Sequence, residues 1–178
     1  MKFDIARQPL IPAFMTLFAL AVAAMCAGIP VPDTETSGAV REALPLLGGQ
    51  LARFQAAYPV WSKFAAGFML LFAGMCTGRI SIRYNLYTVG TCLPIPLYAI
   101  VACGIATGGN YLAGFAASML LALATKNYCR AFCNGYGFDA IFRASLYLGL
   151  MPLVYAPGLP MLLLLPLVEL LLKKKHLS

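Results

Sequence analysis

The chain is poor in charge and in histidine. Only 11% of its 178 residues are Asp, Glu, Lys or Arg, against about 25% in soluble domains. A deficit carried over the whole length excludes an ordinary water-soluble globule and makes lipid the natural solvent. The single histidine, His176, lies in the tail, so no histidine-based metal set exists; no metal and no cofactor is expected. The six cysteines make no disulfide framework, because four of them lie inside apolar runs, where cysteine behaves as a small hydrophobe. Cys129 and Cys133, four apart, share a helix face but lack neighbouring ligands. Acids are scarce too: six, against thirteen basic residues, for a net charge of +7. The basic residues stand singly or in short groups at the ends of apolar runs. No basic helix or aromatic-basic module is present, which excludes nucleic acid as a partner.

Apolar length is what the chain does have, with 61% of residues in the hydrophobic set. The stretch from Ala144 to Lys175 organises the rest. An oily run closed by Lys173, Lys174 and Lys175 places the C-terminus on the cytoplasmic side, because lysine-rich ends stay there. The expected fold is an all-α integral membrane protein, one domain over 1–178, with about six transmembrane helices. The spans fall near 9–30, 59–78, 86–107, 111–125, 138–156 and 159–172. The alternative is four to five spans plus a re-entrant C-terminal hairpin, since 144–172 is long for one crossing and short for two at about 20 residues each. The break in that run lies at Ala156-Pro157-Gly158-Leu159-Pro160. The first span is read as retained, with cleavage near Ala24 as the alternative.

Between the spans, 31–58 is the most polar part and reads as an external loop. Leu44, Leu47, Leu51 and Phe54 stand at helical spacing, so a short amphipathic helix on the outer leaflet is expected there. Trp61 and Tyr58 suit an interfacial anchor. Pro94 and Pro96, in the middle of the third span, are expected to kink or locally unwind it. Segment 126–137 reads as a separate cytoplasmic interfacial piece. This threading leaves ten basic residues on the cytoplasmic side and three outside, as the positive-inside rule requires. Both termini are then cytoplasmic.

Three stretches, RYNLY (Arg83 to Tyr87) with LPIPLY (Leu93 to Tyr98), the Ala-Leu-rich fourth span into Asn127-Tyr128, and FRASLYLGLMPLVYAPGLPMLLLL (Phe142 to Leu165), carry a resemblance. They resemble an uncharacterised family of multi-pass inner-membrane proteins typical of the Bacteroidetes, over about two-thirds of the chain, from Trp61 to Leu172. Members are commonly longer, so this chain is similar to a shortened relative. The resemblance implies a bacterial inner-membrane, cell-envelope setting and supplies no catalytic residues. Some members carry a carotene-monooxygenase label; such an enzyme needs several histidines for iron, and only His176 exists.

Three constellations carry chemistry. Arg79, Arg83, Lys126, Arg130 and Arg143 all fall on the cytoplasmic side and form a candidate lipid- or phosphate-binding set, anionic or prenyl-phosphate head groups being the matching ligands. The plainer reading is that they only set topology; Asp139, four before Arg143, is a natural intrahelical partner. Glu169 is a candidate intramembrane functional acid, with a pair to Lys173 as the simpler use. Asp33 and Glu35, in an external loop before an amphipathic helix, are similar in placement to the acids of lipid-linked glycosyltransferases. An ordinary polar turn accounts for them equally.

The functional expectation is a non-catalytic polytopic subunit in contact with membrane lipids and other membrane proteins. Small residues at Gly67, Ala73, Gly74 and Gly78, and at Gly114, Ala116, Ala117 and Ser118, are assigned the close contacts to neighbouring proteins. The rivals are a transporter or flippase that uses the Pro94/Pro96 break and the arginines, and an enzyme that uses Asp33 and Glu35.

Overall fold

The computed structural model describes residues 10–26, 46–84, 92, 94–106, 111–133, 137–168 and 170. Asp33, Glu35 and Glu169 lie outside the described residues, as do the lysines of the tail. Every described element is helical: α1 (Leu10–Cys26), α2 (Leu46–Ala57), α3 (Pro59–Arg83), α4 (Pro94–Ala106), α5 (Tyr111–Cys133), α6 (Phe138–Val154) and a 3-10 segment (Ala156–Leu163). One of them, α3 with 25 residues, is long and apolar enough to cross a membrane. α1, α4 and α6 are shorter, at 17, 13 and 17 residues.

Helix α3 is the hub, touching α1, α2, α4 and α5. Its buried face reads Ser62, Ala66, Gly67, Leu70, Ala73, Gly74, Gly78 and Ser81, a seam of mostly small residues at the spacing of one helix face. α1 lays Ala13, Leu17 and Ala21 on this core, and α4 adds Ile95, Ala99 and Ala102. A Cβ on Gly74 would stand 2.8 Å from both Leu17 methyls. One on Gly78 would overlap the Ile95 side chain. Glycine is required at both because neighbouring side chains already fill that space.

This packing corrects the assignment of the small-residue seams to outside partners. Gly67, Ala73, Gly74 and Gly78 are buried within the chain, and so are Ala116 and Ala117 of α5. Ser118 is bonded to Tyr98 across the α4–α5 contact. A helical pattern marks which face is small but not which helix covers it.

Local chemistry sets the helix ends. Pro59 opens α3, where its missing N–H costs nothing. Tyr58 alone separates α2 from α3, and its N–H still reaches the Phe54 carbonyl at 2.9 Å. Pro94 is the first residue of α4 and Pro96 lies in its first turn. Cys92 just before it is not helical, and 86–91 and 93 of the expected third span lie outside the described residues. Helix α3 runs five residues beyond 78, to Arg83. Residues 126–133 of the expected interfacial segment continue α5 without a break, and the turn expected at Asn134-Gly135 lies outside the described residues. None of residues 126–133 disrupts a helix, and Asn127 returns its amide to the Leu123 carbonyl at 2.9 Å.

After α6 the chain turns at Tyr155 and folds back. Gly158 lies against Met151, and Leu165 packs on Ala117, Ala124, Leu148 and Met151. The C-terminal run thus doubles back on α6 at the predicted Ala156–Pro160 break. On α2, Gly48 and Gln55 are buried while Leu46, Leu47 and Phe54 are exposed. Leu51 packs against the core, and Leu44 of the expected apolar face lies outside the described residues.

Candidate functional site

The last two turns of α3 carry Arg79 and Arg83 one turn apart on the same face. Across from them, Lys126 projects from α5. Together with Phe72, Met75, Cys76, Ile80 and Tyr84 they line a cleft of about 320 Å³. Arg79 and Arg83 of α3 and Lys126 of α5 line the same cleft, so the two helices do bring their cations together. No carboxylate among the described residues lines the cleft. Among the described residues the one ion pair is elsewhere: Arg143 Nε donates to Asp139 Oδ1 at 2.9 Å, both side chains exposed. Such a pair contributes little to stability, but it does occupy Arg143.

The five basic residues proposed from sequence therefore divide. Arg79, Arg83 and Lys126 converge on one cleft, whereas Arg130 and Arg143 do not line it. The i,i+4 spacing of Arg79 and Arg83 was legible in the sequence. The apolar wall of Phe72 and Met75 was not singled out, although it continues the same helical face at three- and four-residue steps.

At the other end of α3 a wide concavity of about 530 Å³ is lined by Phe54, Tyr58, Trp61, Phe64, Ala65 and Phe68. Phe54 and Tyr58 rings pack at 5.6 Å, Trp61 and Phe64 at 6.4 Å. Trp61 and Arg79 are 18 residues apart, about 27 Å of helix at ~1.5 Å per residue. That nearly matches the ~30 Å hydrocarbon core.

Below the cleft, on the last turn of α5, Cys133 is exposed and Cys129 partly buried. Burial first, and the neighbouring Cys133 second, push the Cys129 thiol above its ordinary range. The thiolate is the reactive form. In chains retaining a single one of these cysteines, Cys133 is expected to react with a maleimide several-fold faster than Cys129 at neutral pH. Raising the pH should narrow the gap, as Cys129 ionises later. Equal rates at neutral pH would contradict the burial described.

Among the described residues no three His, Cys, Asp or Glu side chains gather where a metal ion would be held. Comparison with protein-family models, curated proteins and solved structures finds no match.

Proposed function

We propose that this is a multi-pass protein of the bacterial inner membrane acting as a non-catalytic subunit that packs against other membrane proteins. The observation that carries the membrane reading is an inverted size distribution. The interior is rich in alanine (Ala13, Ala21, Ala66, Ala73, Ala99, Ala117 and Ala124), with buried Ser62 and Ser81 beside larger residues such as Leu70, Phe115 and Leu148, while Phe14, Phe18, Trp61, Phe64, Phe68, Ile100, Val101 and Phe142 face outward. Soluble monomers rarely expose contiguous apolar patches of more than a few hundred Å². In a bilayer, small interior residues with large ones on the lipid side are the economical arrangement.

With the small seams consumed inside, neighbours are left the outward aromatic faces. On α3 these are Trp61, Phe64, Phe68 and Phe72, a continuous stripe. Six spans with both termini cytoplasmic remain the preferred threading, supported by the doubled-back C-terminal run and by the resemblance to the Bacteroidetes inner-membrane family.

The chain should stay in the pellet after an alkaline carbonate wash, and an alkaline-phosphatase fusion at Ser178 should be inactive. Extraction from its native membrane in mild detergent should bring at least one other membrane protein with it. A strictly solitary monomer under those conditions would sink the subunit proposal; an active fusion would sink the threading.

A further inference from the structure

We propose that the cleft between the ends of α3 and α5 is a binding site for a phosphate group carried on a lipid. Arg79, Arg83 and Lys126 bring three cations to one cavity, and no described carboxylate pairs with any of them. Three cations lining one cleft, with no described carboxylate among them, repel one another unless an anion sits there. Two guanidinium forks beside an ammonium group match the several acceptor oxygens of a phosphate. Tyr84 lies in the same lining, and its hydroxyl adds a further donor.

The cleft's size and its other wall identify the phosphate's carrier. About 320 Å³ is at the small end for ligand sites, enough for a head group and not for a large soluble substrate. Phe72 and Met75 form the wall on the α3 side. Beyond them the outward stripe continues through Phe68 and Phe64, so a chain attached to a phosphate held by Arg79 and Arg83 would lie along α3. The three cations are themselves exposed, so salt screens them and a free phosphate is held weakly. The tail adds the retention that the charges alone do not supply. This site needs no neighbouring protein and stands apart from the subunit proposal.

The test is native mass spectrometry of the full chain in detergent, with dioleoyl phosphatidic acid as probe. Wild type should retain phosphatidic acid and not dioleoylglycerol, which has the same tails without the phosphate. Excess inorganic phosphate should displace little of it. R79Q/R83Q/K126Q should lose retention by at least about tenfold, as expected when charge-assisted bonds are removed, while R130Q/R143Q should match wild type. R79K/R83K, which keeps charge but loses the forks, should be intermediate. Equal retention of dioleoylglycerol by wild type overturns the proposal without reference to any variant. So does unchanged retention by the triple variant, or an equal loss in R130Q/R143Q, which would mean only general surface charge. Full displacement by inorganic phosphate would overturn the lipid as carrier.

Discussion

Gly78→Val should destabilise the helical core by about 1–3 kcal/mol, the range for forcing extra carbon into a filled interior, and towards its upper end. The added carbons would overlap Ile95, which is 1% exposed and held between α1 and α3. Ile95 is enclosed in the core, so either its side chain or α4 must shift to make room. Gly74→Val should act in the same sense through Leu17 and Tyr98. The control is Gly149→Ala on α6, where an added Cβ meets nothing within 4 Å. There the lower backbone entropy of alanine should stabilise the helix by about 0.5–1 kcal/mol. Thermal unfolding in one detergent, read by circular dichroism, checks all three. A Gly78→Val chain as stable as wild type would mean that α3 and α4 are not in contact.

Ser62→Ala should cost more than Tyr111→Phe, although each removes one oxygen from the same bond. The Ser62 hydroxyl donates to the Pro59 carbonyl at 2.8 Å and lies 2.6 Å from the Tyr111 hydroxyl. With its only proton committed to Pro59, Ser62 Oγ must accept from Tyr111. Tyr111→Phe therefore leaves Ser62 still bonded and loses about 0.5–1.5 kcal/mol. Ser62→Ala strands a tyrosine hydroxyl that is buried, a cost of about 1–3 kcal/mol. The double variant should be no less stable than Ser62→Ala alone, because no stranded group remains. Denaturation midpoints of the four chains form the cycle; equal losses in the two single variants would reverse the assigned proton direction.

Much of the helical layout was readable from the letters, because uninterrupted apolar runs and proline starts are local signals. Pro59 and the stretch after it locate α3, and the Ala156–Pro160 break locates the C-terminal turn. What the letters concealed depended on distant residues. Gly74 and Gly78 announce a close contact, but Leu17 and Ile95, which make it, are far away in the chain. At the cleft, the pair Arg79 and Arg83 was legible as a unit. That Lys126 joins them and Arg130 does not follows from the rotation of α5 against α3, which no local pattern encodes.

The place of α1 has a consequence for biosynthesis. Its seam of Ala13, Leu17 and Ala21 is covered by α3 and α4, both of which leave the ribosome after it. Until Ile95 and Ala99 have been translated, that seam lacks part of its cover, so a nascent chain stalled before α4 holds α1 with one side of its packing still open.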